Sequence, residues 1–280
     1  MEFKIKEWGK TFFYQAFLFS FILFLGIFSA LKVIKTSFCL EIPGVQISFW
    51  DFLLSFFLAT LLILVIIFLF KKPLKGKFLK GIFILTSFLG TLLFFEIWFS
   101  QPLALILALF LIFWWIKSRD LLIQNLLMIF AIPGIGTFLG LRLDPKEVIL
   151  LLILFSIYDI FAVYKTKHMV KMAQEMIKEK ALFGIVAGRK LSDFKRGISE
   201  IKPGGDFIIL GAGDIVFPLI FSVACLKEGF FLSFSVAFFA LLGVIINLIF
   251  LFSQKERKPI PALPLISFFA IIGYLIGLSF

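Results

Sequence analysis

The sequence predicts an all-α, polytopic membrane protein of nine transmembrane helices. Three observations predict it. Of 280 residues 61% are hydrophobic and only 16% charged, and the mean hydropathy is +1.11. Nine apolar runs are separated by charges or turn residues, and Lys and Arg crowd onto alternate connections. A soluble domain is nearer half apolar and a quarter charged, so lipid must cover the surplus here. A net charge of +11 would point to nucleic acid or an acidic partner in a soluble chain. In a membrane protein the placement of charge outweighs the sum, and no nucleic-acid partner is expected.

A helix rising about 1.5 Å per residue needs roughly 20 apolar residues to cross about 30 Å of hydrocarbon. The runs are Thr11–Leu31, Phe52–Phe70, Gly81–Phe99, Pro102–Ile116, Leu121–Leu141, Val148–Tyr164, Phe207–Leu226, Gly229–Phe252 and Pro259–Phe280. The first follows Lys4, Lys6 and Lys10 and has 21 residues, too many for the core of a typical cleaved signal, so a retained span is expected. The fourth has 15 residues; it is either thickened by its neighbours or does not cross fully. Pro133-Gly134 is expected to break or bend the fifth. Gly136 with Gly140, and Gly273 with Gly277, have the spacing of helix-packing sites.

With the N-terminus inside and the C-terminus outside, cytoplasmic segments hold 23 of the 28 basic residues and outer segments hold 5. A missed or invented span would invert part of that pattern. The domain expectation is one membrane body: residues 1–164 with spans one to six, a 165–206 cytoplasmic loop, and 207–280 with spans seven to nine. The loop opens on Lys167–Ile177, where apolar residues recur at helical spacing between basic ones. That pattern fits a helix lying on the anionic inner leaflet or a solvated linker helix. Cys39 and Cys225 both fall at or near the outer face, where a disulfide is one option. With a single histidine, His168, and no H-E-x-x-H, neither zinc nor serine–histidine chemistry is expected.

Only Glu96, Asp159 and Asp214 bring charge into the nine spans. Charge at membrane depth is costly and presumptively functional. Glu96 sits near the outer end of span three beside Ser100 and Gln101, where an interfacial carboxylate needs no further account. Asp159 lies six residues before Lys165, about 9 Å of helix rise, and Asp214 eight residues after Asp206, about 12 Å. Two consecutive antiparallel spans thus place one carboxylate each at similar depth near the cytoplasmic leaflet. Such a pair cannot readily ionise twice and shares one proton. Its anionic member can polarise a water while the neutral one protonates a peptide carbonyl, which is peptide hydrolysis. An ion relay in a transporter or leak channel, and a structural hydrogen-bonded pair, use the same spacing. From spacing alone all three stand.

The surrounding residues read Tyr158-Asp159 in span six, Gly211-Ala212-Gly213-Asp214 in span seven, and Pro261-Ala262-Leu263-Pro264 ahead of span nine. This resembles the presenilin and signal peptide peptidase family of intramembrane aspartyl proteases, marked by YD, GxGD and PAL on those spans. Motif order, long loop and orientation extend the resemblance over the whole chain. The PALP form resembles the presenilin branch, and the compact size resembles its archaeal homologues. Prepilin and preflagellin peptidases also carry GxGD with a second aspartate, but nine spans and PALP speak against them.

The resemblance implies that Asp159 and Asp214 are the catalytic pair, supported by Gly211, Gly213, Pro261, Ala262 and Leu263. It implies hydrolysis of transmembrane helical substrates within the bilayer, without metal or organic cofactor. Association of several copies stays open. Ala212 departs from the larger apolar residue often found at the variable position, which bears on substrate preference. Gly211 and Gly213, lacking Cβ atoms, are expected to let another backbone approach. Pro259, Pro261 and Pro264 keep the chain ahead of span nine from regular helix, or start that helix. Non-helical backbone there can pair with an unwound substrate strand. Tyr158 hydrogen-bonds near the pair, lines the substrate path, or packs at the interface.

Overall fold

A computed structural model describes residues 2–36, 50–51, 53–55, 58, 62, 74–118, 120–165, 168–201, 207–254 and 259–279. The helices are α1 (Glu2–Thr36), α2 (Leu74–Trp98), α3 (Gln101–Ser118), α4 (Leu121–Gly140), α5 (Pro145–Ile160), α6 (His168–Lys178), α7 (Ala212–Ala224), α8 (Phe230–Ser253) and α9 (Leu263–Gly277). Two strands, β1 (Gly184–Ala187) and β2 (Ile208–Gly211), pair antiparallel. Among the described residues six helices are long and apolar enough to cross a membrane: α1 to α4, α5 with the turn that prolongs it, and α8. The run Phe52–Phe70 lies almost wholly outside the described residues, as does Cys39; Cys225 is a buried free thiol.

The fourth run is longer than its apolar stretch suggests. Gln101 opens α3 and Lys117-Ser118 close it, giving 18 residues and about 27 Å of rise. Pro133 and Gly134 do not break the fifth run, and α4 is continuous through both. Gly134 serves close approach instead, since a Cβ there would overlap the Gly90 carbonyl oxygen of α2. Beyond Ile160, α5 widens into a π-type turn, Phe161–Lys165. In α9 helix starts only at Leu263, and Pro264 falls in its first turn, where a missing N–H costs nothing.

The seventh run needs a larger correction. Helix begins at Ala212, not Phe207, and residues 208–211 are strand. Ile208, Ile209 and Leu210 suit an extended, packed backbone, and Gly211 (φ −62°, ψ 147°) is the residue at which strand turns into helix. The 165–206 segment is likewise more than a linker. It supplies β1, whose Ile185, Val186 and Ala187 are fully buried, and two 3₁₀ turns, Leu191–Lys195 and Ile198–Glu200. Met176 and Ile177, at the end of α6, pack with Leu121, Leu182, Val186, Ile198, Ile201 and Phe207 in a separate small core. That end of α6 therefore faces protein, not lipid.

The main core joins α1, α4 and α7 around Leu219. Its side chain fills the space left by Gly26 of α1 and Gly136 of α4, while Val223 and the Ile220 carbonyl press on Gly140. Thr137 donates to the Gly26 carbonyl (3.0 Å). On the other side Gly273 and Gly277 of α9 meet Ser235, Phe239 and Leu232 of α8, and Ser235 donates to the Gly273 carbonyl (2.7 Å). Both small-residue pairs are thus packing sites, as small residues are in membranes.

Gly134→Ala tests the α2–α4 contact. It should lower stability by about 1–3 kcal/mol because backbone, not a flexible side-chain tip, must move. Gly81→Ala, on the same α2 and with open space around it, should be neutral or slightly stabilising. Equal melting temperatures in detergent for the two variants would refute the contact.

Candidate active site

Asp159 stands one residue before the end of α5, and Asp214 is the third residue of α7. Aromatic packing sets how the two helices face. Phe155, one turn before Asp159, stacks on Phe217, one turn after Asp214, with ring centroids 4.5 Å apart and planes at 27°. In antiparallel neighbours, positions i+4 on one helix and i−3 on the other from a stacked pair again fall opposite each other. The carboxylates accordingly lie within electrostatic reach of one another. Asp159 is buried at 5% exposure and Asp214 is half-buried.

Each carboxylate lies beside the N–H of a helix start. Leu263, the first residue of α9, brings its N–H beside Asp159. Gly211, the cap of α7, sets its N–H beside the Asp214 carboxylate. Asp214 thus occupies the third position of its helix, where an acidic residue faces the cap. The unpaired donors of a helix N-terminus favour negative charge, and the opposed carboxylates resist a second charge. Asp159 Oδ2 is buried without a hydrogen-bond partner among the described residues. One oxygen thus remains for a proton, a water or a substrate.

The strand explains why Gly211 N–H is available. β1 and β2 pair in the register Ile185↔Leu210, Val186↔Ile209 and Gly184↔Gly211. Val186 N–H donates to Asn125 Oδ1 (2.8 Å), so it points away from β2. Antiparallel pairs alternate between bonded and non-bonded. Ile209 and Gly211 therefore direct their N–H groups away from β1, and Ala212 N–H turns back to the Phe183 carbonyl (3.0 Å). Gly211 N–H meets Asp214 on that outer edge, and among the described residues no third strand covers it.

Of the residues singled out in the sequence, the fold gathers Asp159, Asp214, Gly211, Ala212 and Leu263. Pro261 and Ala262 are buried in the segment that leads to Leu263. The two glycines differ. A Cβ on Gly211 would sit 3.1 Å from Asp214 Oδ2, so the close neighbour is the carboxylate and not another backbone. A Cβ on Gly213 would make only an ordinary contact with the Phe217 ring at 3.8 Å. Tyr158 is 50% exposed and lies on the outer surface of α5. Gln124 and Asn125, adjacent amides buried in α4, hold the backbone of the β1 segment and were not singled out. Two uncharged amides in an otherwise apolar span were the available signal.

Comparison with known proteins gives a family and a fold. Residues 14–280 match the family described as signal-peptide peptidase, presenilin aspartyl protease. Two solved structures share the fold, each described as a presenilin family intramembrane aspartate protease. One, in space group C222, has a TM-score of 0.64 at 19% identity and covers 96% of this chain and 98% of its own. The other, in P2, has a TM-score of 0.57 at 18% identity and covers 94% and 96%. No curated protein matches the sequence. The chain belongs to the signal-peptide peptidase and presenilin family, and is a multi-pass intramembrane aspartic endopeptidase.

Proposed function

We propose that Asp159 and Asp214 are the catalytic pair, sharing one proton and using water as nucleophile. The observation that supports this is that Asp159 and Asp214 each lie one turn from the Phe155–Phe217 stack, within electrostatic reach of one another and each beside a helix start. The anionic carboxyl takes a proton from water, whose oxygen attacks the scissile carbonyl. The neutral carboxyl gives its proton to the carbonyl oxygen. Collapse of the tetrahedral diol then breaks the C–N bond, with a proton passing to the leaving nitrogen.

An unwound substrate helix exposes backbone groups that need partners at membrane depth. The outer edge of β2, at Ile209, is the nearest strand edge to Asp214, and pairing there would hold the substrate extended. Nine crossings follow if the run Phe52–Phe70, α7 and α9 also span, with α6 outside the count. The 23-to-5 division of Lys and Arg puts the N-terminus and the 165–206 segment in the cytoplasm. Cleavage then falls toward the cytoplasmic end of transmembrane substrates.

Asp159→Asn and Asp214→Asn should each lower the cleavage rate of a reporter transmembrane helix roughly a thousandfold or more without unfolding the protein. Appreciable turnover by either variant would refute a two-carboxylate mechanism. The rate should fall as pH rises through loss of the shared proton; a profile flat into strong alkali would contradict that.

Gly211→Ala crowds Asp214 Oδ2 and should slow cleavage roughly ten- to a hundredfold, whereas Gly213→Ala should act far more weakly. The reverse order would show that Gly211 does not place the carboxylate. Ile209→Pro removes an outward N–H and spares the ladder, so KM for the reporter should rise roughly tenfold at an unchanged melting temperature. An unchanged KM would exclude strand pairing at that edge.

A further inference from the structure

A strand joining this two-stranded sheet has two outer edges to choose from, that of β2 and that of β1. The choice is set on α4. Asn125 meets Val186 with two reciprocal bonds: Val186 N–H donates to Asn125 Oδ1 (2.8 Å), and Asn125 Nδ2 donates to the Val186 carbonyl (2.7 Å). That is the bonding a neighbouring strand residue would supply. Next to it, Gln124 Nε2 donates to the Leu182 carbonyl (2.5 Å), and Gln124 Oε1 accepts from Trp115 Nε1 (2.7 Å). Gln124 is 0% and Asn125 3% exposed, so these amides have no competing water.

The same helix fixes the catalytic side. Gly136 and Gly140 of α4 seat Leu219 and Val223 of α7, the helix that carries Asp214. Leu121 N–H, in the first turn of α4, donates to the Arg196 carbonyl (3.0 Å) and anchors the far end of the loop. One rigid rod therefore sets both the strand and the carboxylate.

We propose that Asn125, supported by Gln124, is a positioning residue for substrate register. Its carboxamide closes the one edge of β1 that β2 leaves open, so an incoming strand pairs only on β2. On that edge Gly211 is the last strand residue and caps α7 against the Asp214 carboxylate (3.1 Å from the position of its missing Cβ), which leaves Ile209 as the strand residue with both backbone groups outward. A single outward residue fixes which substrate residue lies beside the pair, since strand registers advance in steps of two on one face. Asn125 thereby governs which bond is cut. It does not touch the reacting atoms. This inference rests on strand pairing at β2.

The test is product mapping by mass spectrometry on the full-length protein in lipid nanodiscs, with a reporter transmembrane helix as substrate. Asn125→Leu keeps the volume and removes both bonds. The ratio of cleavage at the main bond to cleavage at its neighbours should fall roughly tenfold, with KM raised more than kcat is lowered. Asn125→Ser, which can restore one bond at a time, should give an intermediate spread and serves as the reading if Asn125→Leu does not fold. A folded variant that cuts at the wild-type bonds in the wild-type ratio overturns the proposal, as does a uniform fall in kcat with no shift of bonds. Asp159→Asn and Asp214→Asn run alongside: turnover in either refutes the catalytic assignment instead, and Ile209→Pro with unchanged KM refutes pairing at β2.

Discussion

Every backbone N–H and C=O at membrane depth must find a partner inside the protein, and the site is organised around the few that do so unusually. Gly211 N–H is the clearest. It belongs to a strand, points away from the ladder, and stands at the helix cap beside the carboxylate three residues on. A continuous helix through residues 207–226 would have engaged that N–H within its own ladder. Strand followed by helix frees it, and so the carboxylate of Asp214 is oriented by the turn in which it sits.

Asp159 reaches the same condition from another direction. Its own helix is ending, which offers no donors, so the donor comes from Leu263 at the start of α9. The prolines ahead of α9, and Pro264 in its first turn, account for the start at that point. Three elements far apart in sequence thus converge on two carboxyl groups. Glycine contacts between α4 and α7, and between α8 and α9, hold them at fixed separations.

Much of this was legible in the residues. Apolar runs announced the helices, and two acids at matching depth pointed to the pair proposed as the site. The motifs then separated protease from ion relay, which spacing alone did not do. What stayed hidden depends on tertiary partners. Phe207–Gly211 is as apolar as the helix it precedes, and only pairing with Gly184–Ala187 makes it a strand. Pro133 reads as a break, yet α4 runs through it because α2 packs directly against Gly134. Gln124 and Asn125 carry no charge, and only their tertiary partners distinguish them from other polar residues in apolar spans.

The central claim is that the two carboxyls together hold one proton. Infrared difference spectroscopy of the purified protein in lipid, comparing wild type with each Asn variant near neutral pH, counts protonated carboxyl bands directly. The account predicts one such band assignable to Asp159 and Asp214 together, altered by either substitution. Two carboxylates both ionised, or one band unaffected by changing the other residue, would contradict it.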